Sequence, residues 1–215
     1  MKYYPIGLDI VDKKCIVVGG GDVAERKAIK LLDYGARVGV VSRDLTPCLR
    51  DMAKEGTIVH IDSDYQKEHI SGAFLVIGAT NRPVVNTQLS IDAREQGILI
   101  NAVDNPPECD FILPALLERG DLVIAVFTGG NSPALAKKLR IQLEDHFGPE
   151  YEIFLNIMGE VRQKVLAKGL PSEENKRIFE LIIDSDMPKL IKYKRWDVIR
   201  NFLKRTTGED IEVSD

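Results

Sequence analysis

The apolar positions of this chain fall into two textures. Between Lys14 and about Val126, short apolar runs recur between turn residues. They are Cys15-Ile16-Val17-Val18, Val38-Gly39-Val40-Val41, Thr57-Ile58-Val59-His60, Phe74-Leu75-Val76-Ile77, Ile98-Leu99-Ile100-Asn101 and Leu122-Val123-Ile124-Ala125-Val126. Runs that stay apolar instead of alternating predict strands buried on both faces, as in a parallel sheet covered by helices. Helices are predicted between them at Val23–Tyr34, Thr46–Lys54 and Val84–Gln96. Strand–helix alternation of this kind predicts an α/β fold with a doubly wound parallel sheet.

Beyond Val126 the pattern turns to long amphipathic helices. Ser132–His146 opens on Ser132-Pro133, an N-cap serine followed by proline in the first turn. Its Leu135, Leu139 and Leu143 recur every four residues, which predicts one buried stripe. Tyr151–Ala167 carries Ile153, Phe154, Ile157, Val161 and Val165 on one side, and Gly169-Leu170-Pro171-Ser172 ends it. Another helix starts at Ser172-Glu173-Glu174-Asn175, and Met187-Pro188 precedes a final helical stretch to about Arg205. The acidic tail Gly208–Asp215 reads as disordered.

Composition narrows the class. With 215 residues, 44% hydrophobic and 29% charged, the chain reads as soluble and globular. Its net charge of −4 excludes coating nucleic acid through bulk charge. One segment departs from that balance. Ser185–Arg205 holds Lys189, Lys192, Lys194, Arg195, Arg200, Lys204 and Arg205 against Asp186 and Asp197 only. It reads as a solvated helix face or as a collar for one polyanionic ligand. No stretch approaches the roughly 18–20 apolar residues of a membrane span. The start Met1-Lys2-Tyr3-Tyr4-Pro5 lacks an apolar signal core. Cys15, Cys48 and Cys109 are odd in number and lack metal spacing, and His60, His69 and His146 form no ligand pair. A reduced, cytoplasmic protein without a disulfide framework or dedicated metal site is expected.

The stretch richest in chemistry is Val17-Val18-Gly19-Gly20-Gly21-Asp22-Val23-Ala24, which fits G-x-G-x-x-A after a strand and before a helix. Gly19 permits the tight turn, Gly21 lets backbone approach a pyrophosphate, and Ala24 allows close packing of helix on strand. That context favours dinucleotide binding over a plain glycine turn. About 20 residues on, where a Rossmann-like sheet reads the adenosine ribose, stands Ser42-Arg43-Asp44. Arg43 would suit a 2′-phosphate, whereas Asp44 would suit a free ribose. The residues alone leave NAD and NADP open, and Arg43 reads equally as a solvated loop residue.

Asn101-Ala102-Val103-Asp104-Asn105-Pro106-Pro107 follows the fifth run, at the sheet edge where ligands sit. Asp104 is placed there for proton chemistry, or it caps the turn before the prolines. Thr128-Gly129-Gly130-Asn131-Ser132 repeats the strand–glycine–helix logic and could hold carboxylates or simply cap its helix. Ala79-Thr80-Asn81-Arg82 follows the fourth run, and Thr80 would line the cofactor crevice.

These residues resemble the siroheme synthase dehydrogenase family, the precorrin-2 dehydrogenases, some of which are also sirohydrochlorin ferrochelatases. The resemblance rests on Pro5-Ile6-Gly7-Leu8, the Val17–Lys27 run, Ala79-Thr80-Asn81, Asn101-Ala102-Val103-Asp104, Phe111-Ile112-Leu113-Pro114-Ala115 and Thr128–Ala136. It covers roughly residues 1–145. It implies NAD-dependent oxidation of precorrin-2 to sirohydrochlorin, a homodimer, and in some members Fe2+ insertion. It implies an NAD-binding domain over 1–113, a dimerisation region over 114–148 and a C-terminal helical domain over 149–215. By the same resemblance Asp104 is the acid/base residue, and Gly21, Asp22, Val23, Ser42, Arg43 and Asp44 contact NAD. Thr128, Gly129, Gly130, Asn131 and Ser132 then bind the substrate. Arg82 departs from the acidic residue that many members carry after Ala-Thr-Asn, and the methyltransferase domain fused to some members is not expected here. Two rivals remain: a dehydrogenase of another small substrate, and a non-catalytic NAD-binding regulatory domain.

Overall fold

Alternate residues of each strand reach opposite faces, and in the first compact unit, Met1–Leu113, both faces are covered. The computed structural model describes residues 3–103 and 105–213. Five strands form one sheet: β1 (Lys14–Val18), β2 (Arg37–Val41), β3 (Val59–Asp62), β4 (Leu75–Gly78) and β5 (Leu99–Ala102). All pairs are parallel and the order is β3-β2-β1-β4-β5. Helices α1 (Asp22–Asp33), α2 (Pro47–Lys54) and α3 (Pro83–Glu95) make three of the four crossovers, and the connection from β3 to β4 holds a short 3-10 turn at Lys67–Ile70. Cys15, Val17, Val38, Val40, Leu75 and Ile77 pack with Ala24, Ala28 and Leu31 of α1 and Leu49 of α2. Ile16, Val18, Val41, Val76 and Ile100 pack on the other face with Leu89 and Ala93 of α3. This division is why the runs are apolar without alternation.

Two expectations shift here. The third strand begins at Val59, two residues later than the apolar run, because Thr57 and Ile58 hydrogen-bond back to Met52 at the end of α2. Val59 is exposed, as suits an edge strand. The run at Leu122–Val126 is not a sixth strand of the sheet. It forms β7 (Leu122–Val126), paired antiparallel with β6 (Ala115–Arg119) across a turn at Gly120-Asp121, in the second unit, Pro114–Asp215.

That second unit is otherwise helical: α4 (Pro133–His146), α5 (Glu150–Ala167), α6 (Ser172–Ile183), α7 (Met187–Lys192) and α8 (Trp196–Thr207). Phe154, Ile157, Val161 and Val165 of α5 pack against Ile182, Met187, Ile191, Ile199 and Leu203. Three further expectations are corrected in this unit. The final helical stretch is broken in two where Lys194 takes a positive φ of 53°. The stripe on α4 is not buried: Leu135 is 47% and Leu139 39% exposed, because only Ala136 of that helix is buried against its own chain. The tail is packed over its described part, Gly208–Val213, since Ile211 and Val213 join the apolar cluster; Ser214 and Asp215 lie outside the described residues. Among the described residues, no helix is long and apolar enough to cross a membrane, and no group of three His, Cys, Asp or Glu is placed to hold a metal ion.

Candidate functional site

Strand order reverses beside β1, and in such sheets ligands bind beyond the carboxyl ends at that switch point. A cleft of about 620 Å³ lies there, within the range of small-molecule sites. The glycine turn forms its floor. Gly19 donates its N–H to Val41 O at 2.8 Å and holds a φ of +131°. A Cβ on Gly19 would stand 2.3 Å from Ala79 O, so the turn needs glycine to pass under the end of β4. Gly20 is equally constrained, by the β2–α2 loop. A Cβ on it would meet Asp44 O at 2.0 Å, and its own carbonyl accepts from Thr46 N–H at 2.9 Å.

Gly21 is different. Its φ of −86° suits any residue, and nothing lies within 4 Å of where its Cβ would be. It is also the N-cap of α1, and no side chain caps that helix. The first amides of a helix have no intrahelical acceptor and carry its positive dipole end. Gly21, Asp22 and Val23 therefore present open space and unclaimed amide donors to the cleft, which is what an anionic diphosphate requires.

The remaining candidates converge on the same cleft: Ser42, Arg43 and Asp44 from the end of β2 and Thr80 from the end of β4. The Ser42 hydroxyl donates to Asp44 O at 2.8 Å, and His60 Nε2 meets Ser42 O at 2.8 Å, which fixes the β2 end. The Thr80 hydroxyl accepts from Arg82 N–H at 3.1 Å and lies 3.0 Å from Asn86 Oδ1, shaping the start of α3. Val103 lines the cleft and ties β5 to Gly78 O at 2.9 Å. Asp104, the residue after it, lies outside the described residues. The loop beyond is held by Cys109, whose thiol donates to Ala102 O at 3.1 Å and accepts from Ala102 N–H at 3.2 Å. Burial raises the Cys109 thiol above its ordinary range.

Ser63, Asp64 and Tyr65, which follow β3, also line the wall and escaped sequence reasoning. Asp64 sits between two arginines. Its carboxylate oxygens lie 2.9 and 2.8 Å from one guanidinium nitrogen of Arg43, and Arg82 approaches at 3.5 Å. The hydrogen bond and charge of Arg43, with Arg82 adding to them, hold Asp64 below the usual carboxylate range. Tyr65 donates its hydroxyl to Asp92 Oδ2 at 2.9 Å, and Gln88 donates to Oδ1 at 2.9 Å. Burial and then Asp92 push the Tyr65 hydroxyl well up, so it stays a donor. Placing β3 two residues later would have carried Ser63-Asp64-Tyr65 to the ligand edge from sequence alone.

Thr128, Gly129, Gly130, Asn131 and Ser132 form a turn within the second unit. Thr128 donates its hydroxyl to Ser132 O at 3.0 Å, and Ser132 Oγ accepts from Leu135 N–H at 3.2 Å as the N-cap of α4. Their capping role is therefore present in the turn itself.

Comparison with known proteins places these features in a wider set. A family model described as NAD(P)-binding matches residues 6–115, and one described as sirohaem biosynthesis protein central matches residues 119–146. The siroheme synthase of Nitrosospira multiformis is 34% identical over 99% of this chain and 46% of its own length. Siroheme synthase 1 of Aeromonas salmonicida is 37% identical over 86% of this chain and 40% of its own length. The chain thus spans less than half the length of these relatives. A solved precorrin-2 dehydrogenase shares the fold, with a TM-score of 0.81 at 24% identity, covering 96% of this chain and 100% of that one.

Proposed function

Because this chain belongs to the NAD(P)-binding family whose model spans residues 6–115, we propose that it oxidises precorrin-2 to sirohydrochlorin with NAD. The carrying observation is the open position at Gly21 above the uncapped start of α1. It belongs to a chain that aligns with a siroheme synthase over 99% of its length. The cofactor class is a nicotinamide dinucleotide; NAD over NADP is part of the proposal.

Oxidation of the macrocycle removes a hydride and a proton. Bound NAD supplies the hydride acceptor. The chain's own residues do the rest. Gly21 and the amides of Asp22 and Val23 hold the diphosphate. Ser42, Arg43 and Asp44 face the adenosine ribose, and Gly19 and Thr80 shape the cleft. Asp104 accepts the substrate proton. Thr128–Ser132 and the basic face of α8 receive the carboxylates of the tetrapyrrole. Residues 114–148 are assigned to dimerisation and 149–215 to the helical domain. The dimer assignment is supported by Leu135 and Leu139, whose exposure leaves an apolar stripe without cover in one chain.

Asp104→Ala tests the reading. It should lower NADH formation from precorrin-2 by about 100-fold or more, with NAD affinity preserved. Unimpaired turnover in that variant would remove Asp104 from the chemistry. A wild-type chain that binds NAD yet leaves precorrin-2 untouched would instead support a regulatory domain. A second activity, Fe2+ insertion, is favoured by the relatives' name, since siroheme is the iron-bearing product. Absorbance of sirohydrochlorin mixed with Fe2+ or Co2+ and this protein reports it directly.

A further inference from the structure

The loop after β3 brings a carboxylate into the cleft beside Arg43 and Asp44, the residues proposed to face the adenosine ribose. Asp64 reaches Arg43 at 2.8 Å and Arg82 at 3.5 Å, and all three residues line the same cleft as Asp44. We propose that Asp64 is the residue that sets the choice of NAD over NADP, by occupying the two arginines that would otherwise bind a 2′-phosphate. The proposal rests on the dinucleotide reading of the cleft and deepens it.

Charge decides the argument. Arg43 and Arg82 together with Asp44 and Asp64 sum to zero. A phosphate monoester on the ribose adds about −1.5 to −2 at neutral pH. Binding it favourably needs a local excess of cations, preferably guanidinium groups, whose planar donors match phosphate oxygens. Asp64 cancels that excess and also takes the hydrogen bonds that Arg43 would give to a phosphate. A free ribose has the opposite need, a carboxylate acceptor, and Asp44 lines this cleft while the Asp64 oxygens are engaged by Arg43. The side chains of Arg43 and Asp64 are 69% and 51% exposed. Such a pair contributes little to stability, so its arrangement at the cleft mouth is not required by folding.

The test is nucleotide binding, measured by fluorescence or calorimetry without substrate, on the wild-type chain and on Asp64→Ala. The wild type should prefer NAD. The variant should tighten NADP binding by roughly tenfold or more, the value of one charge-assisted hydrogen bond. NAD binding should change by less than about threefold. Adding Arg43→Ala and Arg82→Ala to Asp64→Ala should erase the gain, and raised salt should shrink it. An unchanged NAD:NADP ratio in Asp64→Ala, with NAD still bound, would overturn this role and leave the cofactor reading intact. A gain that persists without both arginines would overturn it as well. Failure of the wild type to bind either nucleotide would overturn both readings together.

Discussion

Gly19 and Gly21 look alike in sequence but answer to different demands. Gly19 holds a positive φ and a Cβ there would collide with Ala79 O, so its constraint is internal to the fold. Gly21 holds an ordinary φ and has no neighbour within 4 Å, so its constraint comes from whatever enters the cleft. Gly19→Ala should therefore cost about 1–3 kcal/mol of stability from backbone strain alone. Gly21→Val should leave the melting temperature nearly unchanged and abolish measurable NAD binding. Thermal unfolding and NAD titration of the two variants would separate the roles. Equal loss of stability in both would refute the distinction. The motif named both glycines because local order alone predicts a turn and a close approach. Gly20 escaped notice because its constraint comes from the Asp44 carbonyl, 24 positions along the chain.

At the scale of elements, strand and helix periods were read correctly wherever an element's burial matched its own pattern. They failed where pairing or packing with another element decided the outcome. Ala115–Arg119, with the sequence Ala-Leu-Leu-Glu-Arg, has strong helical propensity, yet it is a strand because β7 pairs with it. The acidic tail shows the reverse failure. Its charges suggest disorder, but several are answered locally: Lys168 meets Glu209 at 2.9 Å and Lys204 meets Asp210 at 2.6 Å. Glu212 N–H donates to Glu160 at 3.1 Å. Between those contacts Ile211 is only 5% exposed. Ile211→Ala should cost about 2 kcal/mol or more in chemical denaturation of the full chain. A change below about 0.5 kcal/mol would return the tail to the status of a solvated appendage.

At the scale of the whole molecule, the α4 stripe is the feature a single chain leaves unresolved. Leu135 and Leu139 lie one helical turn apart and outward, and Val123 and Phe127 are exposed on and just after β7. A two-stranded hairpin with one helix has too little surface to bury both faces of its elements. A second copy supplies the missing cover in the proposed dimer. Sedimentation should give about twice 24.0 kDa for the wild type. Leu135→Glu combined with Leu139→Glu should halve that mass while circular dichroism stays the same. A wild-type monomer, or an unaffected dimer in the double variant, would reject this surface as the interface.

Sequence by itself determined the alternation of buried strands and helices, the glycine turn and the positions of the residues that line the cleft from β1, β2 and β4. Each depends on periodicity or backbone freedom within a few neighbours, and these are legible locally. Tertiary structure decided the rest. It placed Asp64 between Arg43 and Arg82, separated the β6–β7 hairpin from the sheet, turned the α4 stripe outward and packed the tail. These outcomes depend on which strand ends and faces meet after chain segments far apart have folded. Charge pairing and burial are properties of that meeting, so no local pattern carries them.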